Sequence, residues 1–293
     1  SRLVEAEHER LQRYARAVCA LDLARARALL ARDLAMTRPR FGSSTLAVRS
    51  GRYLPCQWDC SRLGLEYTPL DLELTESAAV LFGSNMGGKT VALQTLVFLQ
   101  ITAQAGLFVP AAGFDTDVYP WIGYVGDLAG DRLPATRGGL SGFGFEMRSF
   151  VESWQRAERG GAFLVFDELA HTTSSAEAEA ILSSAIEALG MLADSRSLLA
   201  THFRGVQRAS GVRYLRMLGL DRARAEHAMG VDEPLAARIR RINGLMRYRI
   251  VDEGTDADGG SDAITIAALL GLDERIVSQA ERLFRLRADR GAG

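Results

Sequence analysis

Lysine is almost absent from this chain of 293 residues. Of its 35 lysine and arginine residues, a single one, Lys89, is a lysine. The simplest explanation for the general arginine excess is genome composition. A chain that uses arginine at every other basic position but keeps one lysine indicates that the compact ammonium group is needed at that position.

Cysteine is also scarce, and long apolar runs and an excess of one charge are missing. The three cysteines, Cys19, Cys56 and Cys60, form no zinc-binding pattern, because the Cys-x-x-x-Cys pair has no second half and the four histidines are scattered. We therefore expect reduced thiols and a cytoplasmic protein. No apolar run approaches the roughly 18 residues of a membrane span, so we expect no membrane partner. The net charge of −1 disfavours a main DNA-contacting domain.

The composition is that of an ordinary globular chain, with 47% hydrophobic and 24% charged residues. This is enough material for one large core or two domains. The chain begins at Ser1 without a methionine, and no signal peptide is visible. We interpret it as part of a longer protein with further domains upstream.

The single lysine lies in a glycine-rich segment, Gly83–Thr90, with the spacing G-x-x-x-x-G-K-[ST]. In such a loop the backbone N–H groups form a concavity that binds phosphate, and the following helix adds the positive end of its dipole. Lys89 can reach the β- and γ-phosphates, and Thr90 supplies a hydroxyl for Mg²⁺. The predicted nucleotide-binding residues are Gly83, Ser84, Asn85, Met86, Gly87, Gly88, Lys89 and Thr90.

The context of this loop favours a nucleotide site over a chance match in a glycine-containing loop. The short apolar run Ala78–Phe82 predicts a buried strand directly before it. Val91–Ala105 has the apolar spacing of a helix directly after it. A strand, a glycine-rich loop and a helix in this order are what a P-loop requires.

Two further polar sites follow apolar strands. Ala162–Phe166 predicts a strand that ends in Asp167 and Glu168. An aspartate here holds Mg²⁺ in P-loop enzymes, and the adjacent glutamate can orient and deprotonate water. The alternative is that both acidic residues cap the next helix. His202 follows the next predicted strand, and we interpret it as a γ-phosphate contact; alone, a structural histidine would be the commoner interpretation.

The alternation of strands and helices predicts a parallel α/β sheet with its ligands at the carboxyl ends of the strands. We predict a long N-terminal helix over residues 1–36, ended by Arg38-Pro39-Arg40. Other predicted elements are strands at 45–48, 70–74 and 197–200, helices at 145–159, 176–192, 263–270 and 273–287, a glycine-rich stretch at 123–144 and an acidic loop at 254–260. We divide the chain into residues 1–40, a P-loop ATPase core at 41–225 and a C-terminal segment at 226–293.

Taken together, these motifs resemble those of the MutS family. Gly83–Thr90 looks like the asparagine–methionine P-loop of that family, and Leu140–Met147 resembles its signature loop. Three other segments complete the pattern: Ala103–Ala111, Asp167–Leu169 and Ala200–Phe203. The resemblance runs over residues ~20 to ~285 in the expected order, and the joint pattern is specific.

This resemblance implies a P-loop NTPase of the ABC-ATPase type that works as a homodimer with ATP and Mg²⁺. Ser141 would act on the γ-phosphate bound by the other subunit, and Asn85 would contact phosphate. Tyr67 would stack on adenine, although an aromatic residue before a strand is more often part of a core. The N-terminal helix would be the end of a lever arm leading to DNA-embracing domains. The C-terminal helices would form a dimerisation tail.

Some positions depart from the mismatch-repair members of the family. Gly142 stands in place of their threonine, Thr90-Val91 in place of serine–threonine, and Ala170–Ser175 in place of a glycine–arginine–glycine–threonine run. The last segment is similar to a side branch associated with B12-dependent lysine and ornithine aminomutases, with His171 in place of an arginine. Three hypotheses result: a motor of a DNA mismatch-repair clamp, a reactivating ATPase of such an aminomutase, and a nucleotide-binding dimerisation module.

Overall fold

The computed structural model describes residues 2–84, 86–126, 142–227, 233–254 and 262–291. The helices are α1 (Arg2–Asp33), α2 (Leu54–Leu63), α3 (Lys89–Gln104), α4 (Gly142–Gly160), α5 (Ser175–Gly190), α6 (Arg222–Glu226), α7 (Leu235–Leu245), α8 (Asp262–Leu270) and α9 (Glu274–Gly291). The strands are β1 (Leu46–Gly51), β2 (Leu70–Leu74), β3 (Ala78–Phe82), β4 (Gly113–Asp115), β5 (Ile122–Val125), β6 (Phe163–Asp167), β7 (Arg196–Thr201), β8 (Val212–Leu220) and β9 (Met246–Asp252). None of these helices is both long and apolar enough to cross a membrane.

The described strands form two sheets. A six-stranded sheet has the order β5-β6-β7-β3-β8-β9, in which only the pairing of β8 with β9 is antiparallel. A smaller antiparallel sheet has the order β2-β1-β4. The predicted mixed α/β architecture with mostly parallel strands is therefore confirmed.

The central strands β3 and β7 are buried along almost their whole length because helices cover both faces of the sheet. On one face, alternate residues of β3 such as Leu81 pack against Leu93 and Leu96 of α3. On the other face, Val80 packs in a cluster with Leu182 and Ile186 of α5. Each fully buried side chain of this kind contributes about 1.5–3 kcal/mol to folding. The sheet is thus buried between α3 on one face and α5 on the other.

Elements without a strong apolar pattern were missed by the sequence analysis. Helix α2 and strands β4, β5, β8 and β9 are the main examples. Each of β8 and β9 contains two arginines among its apolar residues, which weakens the signature of a buried strand. Because β9 pairs with β8, the main sheet continues beyond residue 225, where the sequence places the end of the ATPase core.

Helix α1 ends at Asp33, before the predicted stop at Arg38-Pro39-Arg40. The N–H of Met36 donates to the carbonyl of Ala31 at 2.8 Å, and Ala35 between them has φ 46°. This is the arrangement of a Schellman cap, in which glycine usually takes the left-handed position. Arg52 donates to the carbonyl of Ala35 at 3.0 Å, so the helix end is fastened to the body of the protein.

We expect Ala35→Gly to raise the free energy of unfolding by about 0.5–1 kcal/mol, because glycine adopts the left-handed conformation without the steric cost of a Cβ. The matched control is Ala28→Gly, an exposed position within the same helix. It should lower stability by about 0.5–1 kcal/mol. Denaturant unfolding of both variants measures the difference. A destabilised Ala35→Gly variant would contradict the proposed strain.

Candidate nucleotide site

Three polar segments lie at the carboxyl ends of three adjacent strands. The glycine-rich loop follows β3, Asp167 is the last residue of β6, and His202 directly follows β7. The register pairs Phe82 with Thr201 and Asp167 with Ala200, so these ends lie at the same level of the sheet. The expectation that the three segments meet at one edge is met in the structure.

Lys89 is folded back into its own loop. Its Nζ donates to the carbonyls of Gly83 at 2.8 Å and Ser84 at 3.0 Å. The same atom lies 3.4 Å from Oε1 of Glu168. Burial lowers the pKa of Lys89, and the charge of Glu168 acts in the opposite direction. The residue is only 3% exposed. A buried ammonium group is therefore held where the loop surrounds it with carbonyls.

The residue directly before the helix that carries Lys89 is a glycine in a left-handed conformation. Gly88 is the N-cap of α3 and has φ 90°, a conformation that favours glycine. A Cβ at this position would lie 3.0 Å from Cδ1 of Tyr248. Both the backbone angle and the close approach of Tyr248 favour glycine at the last position before the helix.

Asp167 has one carboxylate oxygen in use and one without a partner. The hydroxyl of Tyr124 donates to Oδ2 at 3.1 Å, whereas Oδ1 is buried and accepts no hydrogen bond. Burial raises the pKa of Asp167, and the hydroxyls of Thr90 and Tyr124 act in the opposite direction. A buried carboxylate oxygen without a donor is destabilising unless something positive completes it.

This arrangement fits a hard cation such as Mg²⁺. The hydroxyl of Thr90 and the free oxygen of Asp167 are both oxygen ligands. Within the described residues, no group of three or more His, Cys, Asp or Glu side chains could hold a metal ion. A cation here would thus need further oxygen ligands from water or phosphate, which is how Mg²⁺ is commonly bound.

Glu168 stands between Lys89 and His202. Its Oε1 is 3.4 Å from Nζ of Lys89 and 3.6 Å from Nδ1 of His202. Its backbone has φ 57°, a left-handed conformation that is strained for a non-glycine residue. The N–H of Glu168 donates to the carbonyl of Ala200 at 3.0 Å, which holds it against β7. Strained residues of this kind concentrate at functional sites.

A second carboxylate, Glu146 of α4, holds the loop that follows Glu168. Its Oε2 accepts from the N–H of Ala170 at 2.9 Å, and its Oε1 accepts from the hydroxyl of Thr172 at 3.3 Å. Nδ1 of His171 lies 3.0 Å from the same Oε1. Ala170 is itself left-handed, with φ 63°. Glu146 belongs to the segment that resembles the signature loop, but nothing in the local sequence indicates this contact.

A cavity of about 290 Å³ opens beside the glycine-rich loop. Lys89, Thr90, Tyr67 and Tyr248 are among its lining residues. The hydroxyl of Tyr67 accepts from the N–H of Tyr53 at 2.7 Å, which fixes the side chain in the wall. Tyr248 comes from β9 and was missed by the sequence analysis, because it is far from the loop along the chain.

Some of the remaining predicted residues are described by the structure, and two are not. Gly83, Gly87 and Ser84 form the loop itself, and the hydroxyl of Ser84 donates to Oδ2 of Asp262 at 3.5 Å. Met86 lines the cavity. Asn85 and Ser141 lie outside the described residues, so their predicted roles stay predictions.

Comparison with known proteins agrees with the motifs. The family model of MutS domain V matches residues 79–286, more than two thirds of the chain. The DNA mismatch repair protein MutS of Thermus aquaticus is 31% identical over 290 residues, covering 97% of this chain and 31% of that protein. The endonuclease MutS2 of Thermomicrobium roseum is 32% identical over 294 residues, covering 96% of this chain and 34% of that protein.

The match covers nearly all of this chain but only about a third of each relative. The DNA mismatch repair protein MutS of Natronomonas pharaonis is 28% identical and again covers 96% of this chain but 30% of the relative. The chain spans about a third of the length of the curated relatives it matches. Their names give no support to the aminomutase hypothesis. With the motifs in order and the domain V model matching residues 79–286, this chain belongs to the MutS family.

Proposed function

We propose that this chain is the ATP-binding and ATP-hydrolysing motor domain of a MutS-family protein. The observation that carries the proposal is the convergence of Lys89, Asp167, Glu168 and His202 at the carboxyl ends of three adjacent strands. A lysine-bearing glycine-rich loop, an aspartate with an unsatisfied oxygen and an adjacent glutamate are the parts that phosphoryl transfer to water requires. Membership of the MutS family supports the same proposal.

The phosphates of ATP would lie in the glycine-rich loop. The backbone N–H groups at the start of α3 would bind the phosphate oxygens. Lys89 would exchange the carbonyls of Gly83 and Ser84 for the β- and γ-phosphates. The nucleoside would occupy the adjacent cavity between Tyr67 and Tyr248, where aromatic faces suit a purine. Asn85 would add a further contact to phosphate.

Thr90 and Asp167 would hold Mg²⁺ next to the phosphates. When bound, this ion neutralises the negative charge that develops on the phosphate oxygens. Asp167 contributes a carboxylate with one buried oxygen that has no hydrogen-bond partner among the described residues. Tyr124 keeps the other oxygen in place.

Glu168 would orient the attacking water and accept its proton. In the structure its carboxylate faces the ammonium group of Lys89 at 3.4 Å. Movement of Lys89 onto the phosphates would release Glu168 from this contact and leave it available to water. His202, on the far side of Glu168, would contact the γ-phosphate. Binding of ATP would in this way prepare the base.

The mechanical output would be closure of a homodimer. Ser141 of a second subunit would complete the site over the γ-phosphate, and hydrolysis would release it. Helix α9 supports a role in dimerisation, because its apolar residues Ile276, Leu283 and Phe284 are exposed to solvent in the single chain. DNA would be held by segments of the whole protein that α1 leads to. The name of the Thermus aquaticus relative supports a function in mismatch repair.

Steady-state phosphate release from ATP by the whole protein tests this proposal. We expect hydrolysis that requires Mg²⁺ and that changes when duplex DNA with a mismatch is added. The DNA effect should decrease as salt rises, because DNA contacts release counterions. Failure to bind or hydrolyse ATP would overturn the motor function. Hydrolysis that is indifferent to DNA would overturn the mismatch-repair part alone.

Glu146 should act as a positioning residue for Glu168. We expect Glu146→Ala to lower kcat for ATP about tenfold with little change in KM, because the lost hydrogen bond from the N–H of Ala170 to a charged acceptor is worth about 1.5 kcal/mol. Glu146→Gln keeps an acceptor for the N–H of Ala170 and should retain more activity. A loss that appears in KM alone, or a glutamine variant as impaired as the alanine variant, would contradict this role.

A further inference from the structure

Two cysteines face the cavity beside the glycine-rich loop. Cys56 and Cys60 lie four residues apart on α2, a spacing that places both on one face of a helix. Both are half-buried, and both line the cavity together with Lys89 and Thr90. Cys19, in contrast, is exposed on α1. The Cys-x-x-x-Cys pair is thus a two-sulfur wall of the proposed nucleotide cavity.

The surroundings of Cys56 favour its neutral thiol form. Burial raises the pKa of Cys56 to about 11, and the nearby Cys60 adds to the effect. Burial also raises the pKa of Tyr67 and Tyr248, and the two thiols contribute in the same direction in each case. Simple alkylation of Cys56, which needs a thiolate, is therefore slow.

The geometry also restricts which thiol-binding ligand fits. A zinc ion takes four ligands in structural sites. Within the described part of the chain, no third His, Cys, Asp or Glu joins Cys56 and Cys60 to form such a group. A ligand that needs two sulfurs and carries its own third substituent is satisfied by this pair. Organic compounds of trivalent arsenic have this valence.

We propose that Cys56 and Cys60 form a dithiol site in the wall of the nucleotide cavity that takes a trivalent organoarsenical bridging both sulfurs. The reaction of R–As=O with two thiols forms two As–S bonds and breaks two S–H bonds. Both protons leave with the oxygen as water, and arsenic and sulfur keep their oxidation states. Because the reaction starts from neutral thiols, the high pKa of Cys56 does not prevent it.

Occupation of this site would exclude nucleotide. The arsenic substituent would fill a cavity of about 290 Å³ that Lys89 and Thr90 also line. This consequence rests on the proposed function, since it requires that ATP uses the same cavity. The dithiol site itself does not depend on that proposal.

The first test is the stoichiometry and location of phenylarsine oxide on the whole protein, measured by intact-protein mass spectrometry. We expect one phenylarsenic group per chain, retained in the presence of a monothiol and removed by a dithiol such as ethanedithiol. Cys56→Ser and Cys60→Ser should each abolish the stable adduct, whereas Cys19→Ser should leave it unchanged. An adduct that survives in Cys56→Ser, or one that depends on Cys19, would overturn the site.

The second test is binding of a fluorescent ATP analogue before and after treatment. We expect treatment to weaken binding of the analogue at least tenfold in the parent protein, and ethanedithiol to restore it. In Cys56→Ser, treatment should cause no change relative to the untreated variant. Prior saturation with ATP should slow adduct formation. If the untreated protein binds no nucleotide while the adduct forms, the proposed function fails and the dithiol site stands. If adduct and nucleotide bind together, the location of the site in the nucleotide path is overturned.

Discussion

Replacement of Glu168 by glutamine is expected to lower the rate of ATP hydrolysis by about 10²–10⁴-fold, the range that a general base contributes. Glutamine has nearly the same shape as glutamate but cannot accept a proton from water. It also removes the charge that faces Lys89 at 3.4 Å, so Lys89 becomes easier to transfer to phosphate. Nucleotide binding should therefore be kept or become tighter.

Single-turnover hydrolysis and equilibrium binding of ATP, measured on the same preparation, separate these two effects. The matched control is Glu158→Gln, the same chemical change at an exposed position of α4. The control should hydrolyse ATP at the parental rate. If Glu168→Gln retained full hydrolysis, Glu168 would not be the base, and the strained φ of 57° would need another explanation.

Replacement of Asp167 by asparagine should give the second largest effect. Loss of a charged Mg²⁺ ligand removes several kcal/mol of transition-state stabilisation, so hydrolysis should fall by about 10²-fold or more. Raising the Mg²⁺ concentration should restore part of the activity if the defect is in metal binding. Asp22→Asn, an exposed position on α1, provides the control. Unchanged Mg²⁺ dependence in Asp167→Asn would remove this residue from the metal site.

The same substitution should stabilise the protein when Mg²⁺ and nucleotide are absent. Burial raises the pKa of Asp167 in the folded state above its value in the unfolded chain. The folded protein therefore binds this proton more tightly, and the stability gained from it is present at low pH and is lost as pH rises through the folded pKa. Asparagine stays neutral throughout, so its advantage over aspartate should grow across this window.

Melting temperatures of the two proteins at pH 4 and pH 7, without Mg²⁺, give the comparison. The difference between variant and parent should be small at pH 4 and favour the variant at pH 7. Addition of Mg²⁺ with ATP should reverse the order at pH 7, because ligand binding stabilises the form that binds it. An asparagine variant that melts lower than the parent at pH 7 without Mg²⁺ would contradict a costly buried charge at this position.

The local parts of the candidate site could be predicted from the sequence alone. The glycine-rich loop, the aspartate–glutamate pair and His202 each follow a short apolar strand, and a strand end can be recognised from a few neighbouring residues. Their meeting at one edge could also be predicted, because parallel strands in an α/β sheet present their carboxyl ends together. The MutS resemblance rested on the same contiguous motifs.

The distant residues that complete the site could be identified only from the folded chain. Tyr248 reaches Gly88 because β9 pairs with β8 at the edge of the main sheet. Glu146 reaches the loop after Glu168 across 24 residues of sequence, from Glu146 to Ala170. Cys56 and Cys60 face the same cavity as Lys89 only because α2 packs beside the loop. These contacts depend on strand order and helix packing, which are set by the burial of the whole core and leave no signal in any single segment.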